Sequence, residues 1–271
     1  MEKHCPEIFI GTRWTKKDEI GKAIESGKLN KIISVPALTE DNVSFCEDVK
    51  TTKEYLAIKN EIDEEIWEAE YMQEPIEKRG LLFPLSELNF YNHETVDVDK
   101  LADYRFSFID PADEGGDDLS APAAYLIDNK IYITDVIYNK HGTDVNEPAC
   151  IQFINNHKLN AVEIEGNSAW VLFGKTIRNK VLEGGNNSCN IRIIKQFKNK
   201  HTRILAQSAF IKHNFVFRKD WEQLPEYNKF MQNIISYNRI QEGSSKNKHE
   251  DAVDSCAGIA NYFSKHFTHL Y

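Results

Sequence analysis

The sequence predicts an α/β fold in which a mixed sheet carries flanking helices. Residues 104–138 hold three segments rich in β-branched and aromatic residues, and the tight turn Asp128-Asn129 separates the last two. These segments predict an antiparallel meander of three strands. From residue 143 onward, helical patterns alternate with short apolar segments, and strands joined by helices run parallel. The sheet should therefore combine the three-strand meander with parallel strands.

The individual elements follow from hydrophobic periodicity along the chain. In residues 143–157, for example, Val145, Ala149 and Phe153 recur at helical spacing. The predicted strands cover residues 105–110, 123–128, 130–138, 160–167, 191–194 and 214–218. The predicted helices cover residues 143–157, 169–182, 201–212, 225–237 and 250–266.

The first part of the chain differs from the rest, and we place a domain boundary between about residues 85 and 103. This boundary divides the chain into residues 1–90 and 91–271. Residues 8–10 predict a short apolar strand, and residues 53–71 predict an acidic helix. These elements enclose too little core to be stable alone. Residues 1–90 therefore pack on the remainder or are the tail of a larger domain.

The composition is typical of a water-soluble globular protein, with 41% hydrophobic and 28% charged residues. No apolar run approaches the roughly 18 residues that a membrane span requires, and no signal peptide opens the chain. The five cysteines form an odd number without a C-x-x-C pair, which favours neither a disulfide framework nor a zinc site. We therefore expect an intracellular protein of the cytoplasm.

Charge is distributed unevenly along the chain, and this distribution bears on nucleic-acid binding. Residues 40–74 hold twelve acidic residues and three lysines, which account for the net charge of −9 of the whole chain. Residues 195–219 hold seven Lys and Arg and no acidic residue. Such a basic segment is either a solvated face or a groove that follows phosphate groups.

Several carboxylates lie at the ends of predicted elements. Asp110 ends the first strand of the meander, Glu165 ends the fourth strand, and Glu250, Asp251 and Asp254 lie in the first turn of the last helix. Each has an ordinary explanation as a turn or helix-start residue. Together they favour a cation, because like charges one helical turn apart repel each other. Carboxylates without a Cys or His cluster suit Mg²⁺ or Mn²⁺ and permit phosphodiester cleavage.

Four segments in the second half of the chain resemble a known family. They are FIDPADEGGDDLSAPAAYLI, VEIEGN, KNKHTRI and HEDAVDSCAG, and in this order and spacing they are similar to the C-terminal nuclease domain of the terminase large subunit of phages and prophages. The resemblance runs from about residue 104 to the end and implies an RNase H-like fold. Upstream, IFIGTRW and EIWEAEYMQEPIEKRGLLFP resemble the end of the terminase ATPase domain and its linker.

The resemblance implies which residues form the site. Asp110, Glu165 and Asp251 match the catalytic acids that hold one or two divalent ions, Mg²⁺ or Mn²⁺, and Asp254 and Glu250 are supporting ligand candidates. Many relatives carry two aspartates where this chain has Glu250 and Asp251, so which of them faces the metal stays open.

Further acidic residues are weaker candidates. Asp113, Asp117 and Asp118 lie in the loop after the first strand, and Asp118 is the one of the three best placed to approach an ion. Glu163 shares a strand face with Glu165, and only the position of Glu165 at the strand end favours Glu165 over Glu163 as a ligand.

Basic residues next to the fifth strand are candidates for DNA binding. Lys198, Lys200 and Arg203 precede or open a predicted helix near the acidic site, and the family carries a similar K-x-x-R pattern there. They are either a solvated helix start or contacts to the DNA backbone.

The expected function is a metal-dependent endonuclease that cleaves concatemeric viral DNA during genome packaging. Double-stranded DNA, the portal protein and the small terminase subunit are the implied partners, in the cytoplasm of a host bacterium. ATP hydrolysis is not expected from this chain, because the phosphate-binding pattern G-x-x-x-x-G-K-[ST] does not occur in it. Residues 1–90 would then be a remnant of the ATPase domain. The alternatives are another RNase H-like nuclease, such as a resolvase or RNase H, and a non-catalytic docking module of the packaging motor.

Overall fold

The computed structural model divides the chain into two compact units, Met1–Arg79 and Gly80–Tyr271. It describes residues 8–14, 18–27, 29–62, 64–75, 80–111, 118–166, 170–197, 199–239, 247 and 250–267. This division lies about ten residues before the boundary at 90/91 that the sequence predicts. Residues 80–90 lie with the second unit because Leu82 and Phe83 are fully buried in its core.

The first unit is built from short helices. They are α1 (Glu19–Glu25), α2 (Thr52–Glu61) and α3 (Glu64–Ile66), and α3 continues as a π-helical turn over Trp67–Tyr71. The predicted helix over 53–71 is interrupted at Ile62, whose backbone is extended. The predicted strand at residues 8–10 is wrong: these residues are irregular and exposed, because no strand among the described residues of this unit pairs with them.

The second unit contains a seven-stranded sheet with the order β1-β7-β4-β3-β2-β5-β6. The strands are β1 (Asn89–Tyr91), β2 (Tyr104–Ile109), β3 (Leu119–Ile127), β4 (Lys130–Asn139), β5 (Ala161–Glu165), β6 (Asn190–Ile194) and β7 (Phe215–Arg218). Strands β2, β3 and β4 form the predicted antiparallel meander, and the other neighbouring strands are parallel. The predicted mixed sheet is therefore confirmed.

The turn between β3 and β4 has the backbone that the sequence predicts. Asp128 and Asn129 both have positive φ angles, 46° and 63°, as in the type I′ turns of two-residue hairpins. Strand β3 begins at Leu119, four residues before its predicted start. All its residues are buried, so the small side chains of its first half pack between the two helical layers.

Helices cover both faces of the sheet. They are α4 (Val98–Leu101), α5 (Thr143–Asn156), α6 (Trp170–Glu183), α7 (Lys200–Asn214), α8 (Pro225–Ile235) and α9 (Asp251–His266). Helices α5 and α6 pack on one face, and α7, α8 and α9 pack on the other. Among the described residues, no helix combines the length and the apolar character that a membrane crossing requires.

Helix α9 lies unusually close to the centre of the sheet. A Cβ atom at Gly258 would come within 2.4 Å of the Phe108 ring, so only glycine permits this approach. Further along the helix, Tyr262 stacks on Phe106 with ring centroids 3.8 Å apart. These contacts fix the first turn of α9 above the carboxyl end of β2.

Candidate metal centre

Three buried carboxylates meet at one edge of the sheet. Asp110 directly follows β2, Glu165 is the last residue of β5, and Asp254 lies in the first turn of α9. Strands β2 and β5 are parallel neighbours with Ile109 opposite Ile164, so both end at this edge. One oxygen from each of the three carboxylates lies within 4.8 Å of the others, and each residue is at most 6% exposed.

Asp251 lies beside this group, one helical turn before Asp254. Its Oδ2 accepts a hydrogen bond of 3.0 Å from the backbone N–H of Asp118. Glu250 accepts a hydrogen bond of 3.4 Å from the hydroxyl of Tyr237. The geometry thus brings together two of the predicted catalytic acids with Asp254, while the ligand roles of Asp251 and Glu250 stay predictions.

Two cations of α7 bind the same carboxylates. The Lys200 ammonium lies 3.0 Å from Asp110 Oδ2, 3.2 Å from Asp251 Oδ1 and 3.7 Å from Asp254 Oδ2. The Arg203 Nε donates to Asp254 Oδ1 at 3.1 Å. Its Nη2 donates to Glu165 Oε2 at 3.3 Å and also to Asp254 Oδ2. Lys200 and Arg203 are three residues apart on one helix face, which explains why both reach the acidic group.

Burial and the crowding of charge shift the pKa values of Asp110 and Lys200. Burial raises the pKa of Asp110 well above its ordinary value; Lys200 opposes this shift, and the charges of Asp254, Glu165 and Asp251 add to it. Burial by itself lowers the pKa of Lys200, but Asp110, Asp254 and Asp251 outweigh burial and raise it overall. Asp110 therefore needs positive charge nearby to stay ionised.

The donor set fits a hard divalent cation. The group offers only carboxylate oxygens, and no Cys or His belongs to it among the described residues. Oxygen ligands of this kind suit Mg²⁺ and Mn²⁺ and do not favour zinc. Asp110, Glu165 and Asp254 could therefore hold such an ion, whose charge would oppose the burial and the neighbouring negative charges that raise the pKa of Asp110.

The remaining predicted site residues have separate partners or lie outside the described residues. Glu163 forms an ion pair of 2.5 Å with Arg192 across β5 and β6. The Asp118 carboxylate lies 3.8 Å from the Lys140 ammonium. Asp113, Asp117 and Lys198 fall outside the described residues.

The ion pairs of Lys200 and Arg203 with the carboxylates are not predicted by the sequence. The basic segment and the K-x-x-R pattern near the acidic site predict contacts to DNA for both residues. The available signal was the spacing of three residues in α7, which places both side chains on one helix face. That spacing does not indicate which surface the face approaches, so the ion pairs required the tertiary structure.

A family model matches the part of the chain that supplies two of the three carboxylates. Residues 109–212 match the family described as "Terminase Bacteriophage T7, Ribonuclease H-like domain". No curated protein sequence matches the chain.

Solved structures with a similar fold include the large terminase of a thermophilic bacteriophage. One crystal form has a TM-score of 0.55 and 8% identity, covering 78% of this chain and 52% of that one. The complex of the same terminase with ADP has a TM-score of 0.54 and 9% identity, covering 81% and 53%. The chain thus spans about half the length of this terminase, and at such low identity the likeness concerns the fold alone.

Proposed function

We propose that the chain is a divalent-metal-dependent endonuclease acting on double-stranded DNA, because residues 109–212 match the family model of a terminase RNase H-like domain. By this proposal it cleaves concatemeric viral DNA while a genome is packaged in the cytoplasm of a host bacterium. The portal protein and the small terminase subunit are the partners that such a role requires.

One observation carries the proposal: Asp110, Glu165 and Asp254 converge from two strand ends and a helix start. Buried like charges destabilise a fold. They are retained where a cation neutralises them or where the function of the site requires them. Lys200 and Arg203 offset part of this charge. The arrangement therefore supports a site in which a divalent ion supplies the positive charge that Lys200 and Arg203 leave unbalanced.

The carboxylates would hold one or two ions at the edge of the sheet. Bound Mg²⁺ or Mn²⁺ supplies the positive charge that activates a water molecule and stabilises the leaving oxygen of a phosphodiester. Asp110, Glu165 and Asp254 are the ligands that we propose, with Asp251 and Glu250 as further candidates. Asp251 is a candidate because its carboxylate contacts the Lys200 ammonium, which also contacts the carboxylates of the site.

DNA would reach the site along the basic segment. Lys198 and Lys200 are the residues that we propose as phosphate contacts, because the Lys200 side chain is still 32% exposed beside the acids. The Arg203 side chain is only 12% exposed and binds two carboxylates. We assign Arg203 chiefly to compensating the charge of these two carboxylates. The contact of Arg203 with DNA stays a prediction, which a DNA-binding assay of an Arg203 variant tests.

Plasmid cleavage in Mn²⁺, Mg²⁺ or EDTA tests the proposal. We expect the wild-type protein to nick and linearise plasmid only with a divalent ion, and Asp110→Asn, Glu165→Gln and Asp254→Asn to abolish cleavage. Glu163→Gln is the matched control, because Glu163 lies two residues before Glu165 but pairs with Arg192. It should cleave like wild type. Asp251→Asn tests whether Asp251 is also required.

The outcomes separate the competing functions. Loss of cleavage in the three variants but not in the control supports the metal site. Absence of cleavage with either ion, together with absence of Mn²⁺ binding in calorimetry, would favour a non-catalytic docking module. Preference for RNA–DNA hybrids or four-way junctions over duplex DNA would instead favour an RNase H or a resolvase.

A further inference from the structure

Two buried serines join the parts of the chain that carry the carboxylates. The Ser120 and Ser255 hydroxyl oxygens are 2.7 Å apart, and both residues are completely buried. Ser120 lies at the start of β3 and Ser255 in α9, directly after Asp254. Their hydrogen bond therefore ties the sheet to the helix next to the proposed site.

The direction of this hydrogen bond follows from the neighbouring contacts. A serine has a single hydroxyl hydrogen. The Ser255 hydroxyl donates to the Ala252 carbonyl at 2.9 Å, so the hydrogen between the two serines belongs to Ser120. Ser255 is the acceptor and keeps its own bond within α9.

The backbone of Ser120 is also bound to Asp110. The N–H of each residue donates to the carbonyl of the other at 2.9 Å, which forms an isolated antiparallel bridge. Ser120 thus holds Asp110 through its backbone and α9 through its hydroxyl. These hydrogen bonds form a direct connection from Asp110 through Ser120 to Ser255, the neighbour of Asp254.

We propose that Ser120 and Ser255 are positioning residues, which set the spacing of Asp110 and Asp254 for a divalent cation. The inference rests on the proposed function, because it assigns a role toward the same metal. Neither hydroxyl ligates the ion. Groups that hydrogen-bond a metal ligand directly typically change metal affinity by about 10- to 100-fold, and the two serines, which act through the backbone of Asp110 and through α9, should lie at the lower end of that range.

Ser120→Ala is the cleanest variant, because it leaves the Ser255–Ala252 bond intact. We expect the dissociation constant for Mn²⁺, measured by calorimetry on the full chain, to rise about tenfold. Cleavage should fall at low Mn²⁺ and recover when Mn²⁺ is raised. Ser208→Ala is the matched control: Ser208 is equally buried, and its hydroxyl donates to the Leu205 carbonyl in its own helix, its one hydrogen-bond partner among the described residues. Its Mn²⁺ affinity should stay within about twofold of wild type.

The double variant Ser120→Ala/Ser255→Ala separates positioning from stability. Ser255→Ala leaves the buried Ser120 hydroxyl without an acceptor and should lower the melting temperature most, whereas removing both hydroxyls leaves no orphaned group. We expect the double variant to regain thermal stability but not Mn²⁺ affinity. If Ser255→Ala does not fold, Ser120→Ala and the double variant still test the inference.

Two results would overturn the inference in different ways. Wild-type Mn²⁺ affinity in Ser120→Ala and in the double variant, while the wild type binds and cleaves, would overturn the positioning role alone. A wild-type protein that binds no Mn²⁺ would overturn the proposed function and the positioning role with it.

Discussion

Replacing Arg203 with methionine removes the cation that is bound most closely to the acidic group. The Arg203 side chain is 12% exposed, and its partners Asp254 and Glu165 are 2% and 7% exposed. Breaking a buried ion pair by removing one partner costs about 3–5 kcal/mol, because the other partner stays buried without compensation. A domain of this size loses about 2–4 °C of melting temperature per kcal/mol. We therefore expect metal-free Arg203→Met to melt roughly 6–20 °C below wild type.

Mn²⁺ should reverse much of this loss, because it would return positive charge to the same carboxylates. An ion at about 100 times its dissociation constant stabilises the folded state by about 2.7 kcal/mol. Scanning calorimetry with Mn²⁺ and with EDTA measures both effects. The increase in melting temperature on adding Mn²⁺ should be at least as large in Arg203→Met as in wild type.

Lys180→Met provides the control for this experiment. Lys180 pairs with Glu147 at 2.5 Å, but the Lys180 side chain is 52% exposed and that of Glu147 is 20% exposed, and exposed ion pairs contribute about 0–1 kcal/mol. The melting temperature of this variant should change by less than about 4 °C, with the same response to Mn²⁺ as wild type. If Arg203→Met melted as high as Lys180→Met in EDTA, or if Mn²⁺ gave it no stabilisation, charge compensation by Arg203 would be refuted.

Three further predictions concern other features of the fold. A fragment of residues 80–271 should unfold cooperatively in urea, whereas residues 91–271 should melt lower or fail to fold because they lack Leu82, Phe83 and most of β1; equal stability of both fragments would contradict the observed division. Gly258→Ala should destabilise the protein by about 1–3 kcal/mol in urea denaturation, since the added methyl group overlaps Phe108; a gain in stability, as helix propensity alone predicts, would show that α9 shifts freely. Lys200→Ala should reduce the salt dependence of DNA binding in EDTA, measured by fluorescence anisotropy, with a slope lower by about 0.9 for one lost phosphate contact; an unchanged slope would remove Lys200 from the DNA-binding surface.

The sequence predicts most of the sheet because its signals are local. Strand composition and the Asp128-Asn129 turn define the meander, and alternation with helices defines the parallel strands. The three-residue strand β1 has no local signal of this kind. It forms because Asn89 pairs with Val216 of β7, more than a hundred residues away, and its Asn89 side chain donates to the carbonyls of Lys212 and Phe215.

The site was only partly predictable for the same reason. Strand ends indicate Asp110 and Glu165 without further information. The choice between Asp251 and Asp254 depends on how α9 is rotated about its axis, and the close packing of Gly258 on Phe108 fixes that rotation. The sequence shows that these two acids share a helix face. It does not show which of them is turned toward β2.

The position of α9 within the chain also determines when the acidic group can form during protein synthesis. A nascent polypeptide that has not yet reached residue 251 already contains Asp110 and Glu165, but it has neither Asp254 nor the rings of Tyr262 and Phe263 that pack on Phe106. Such an unfinished polypeptide lacks one proposed ligand and part of its core together. The acidic group and the core of this unit are therefore completed in the same step, when α9 has been translated and packs on the sheet.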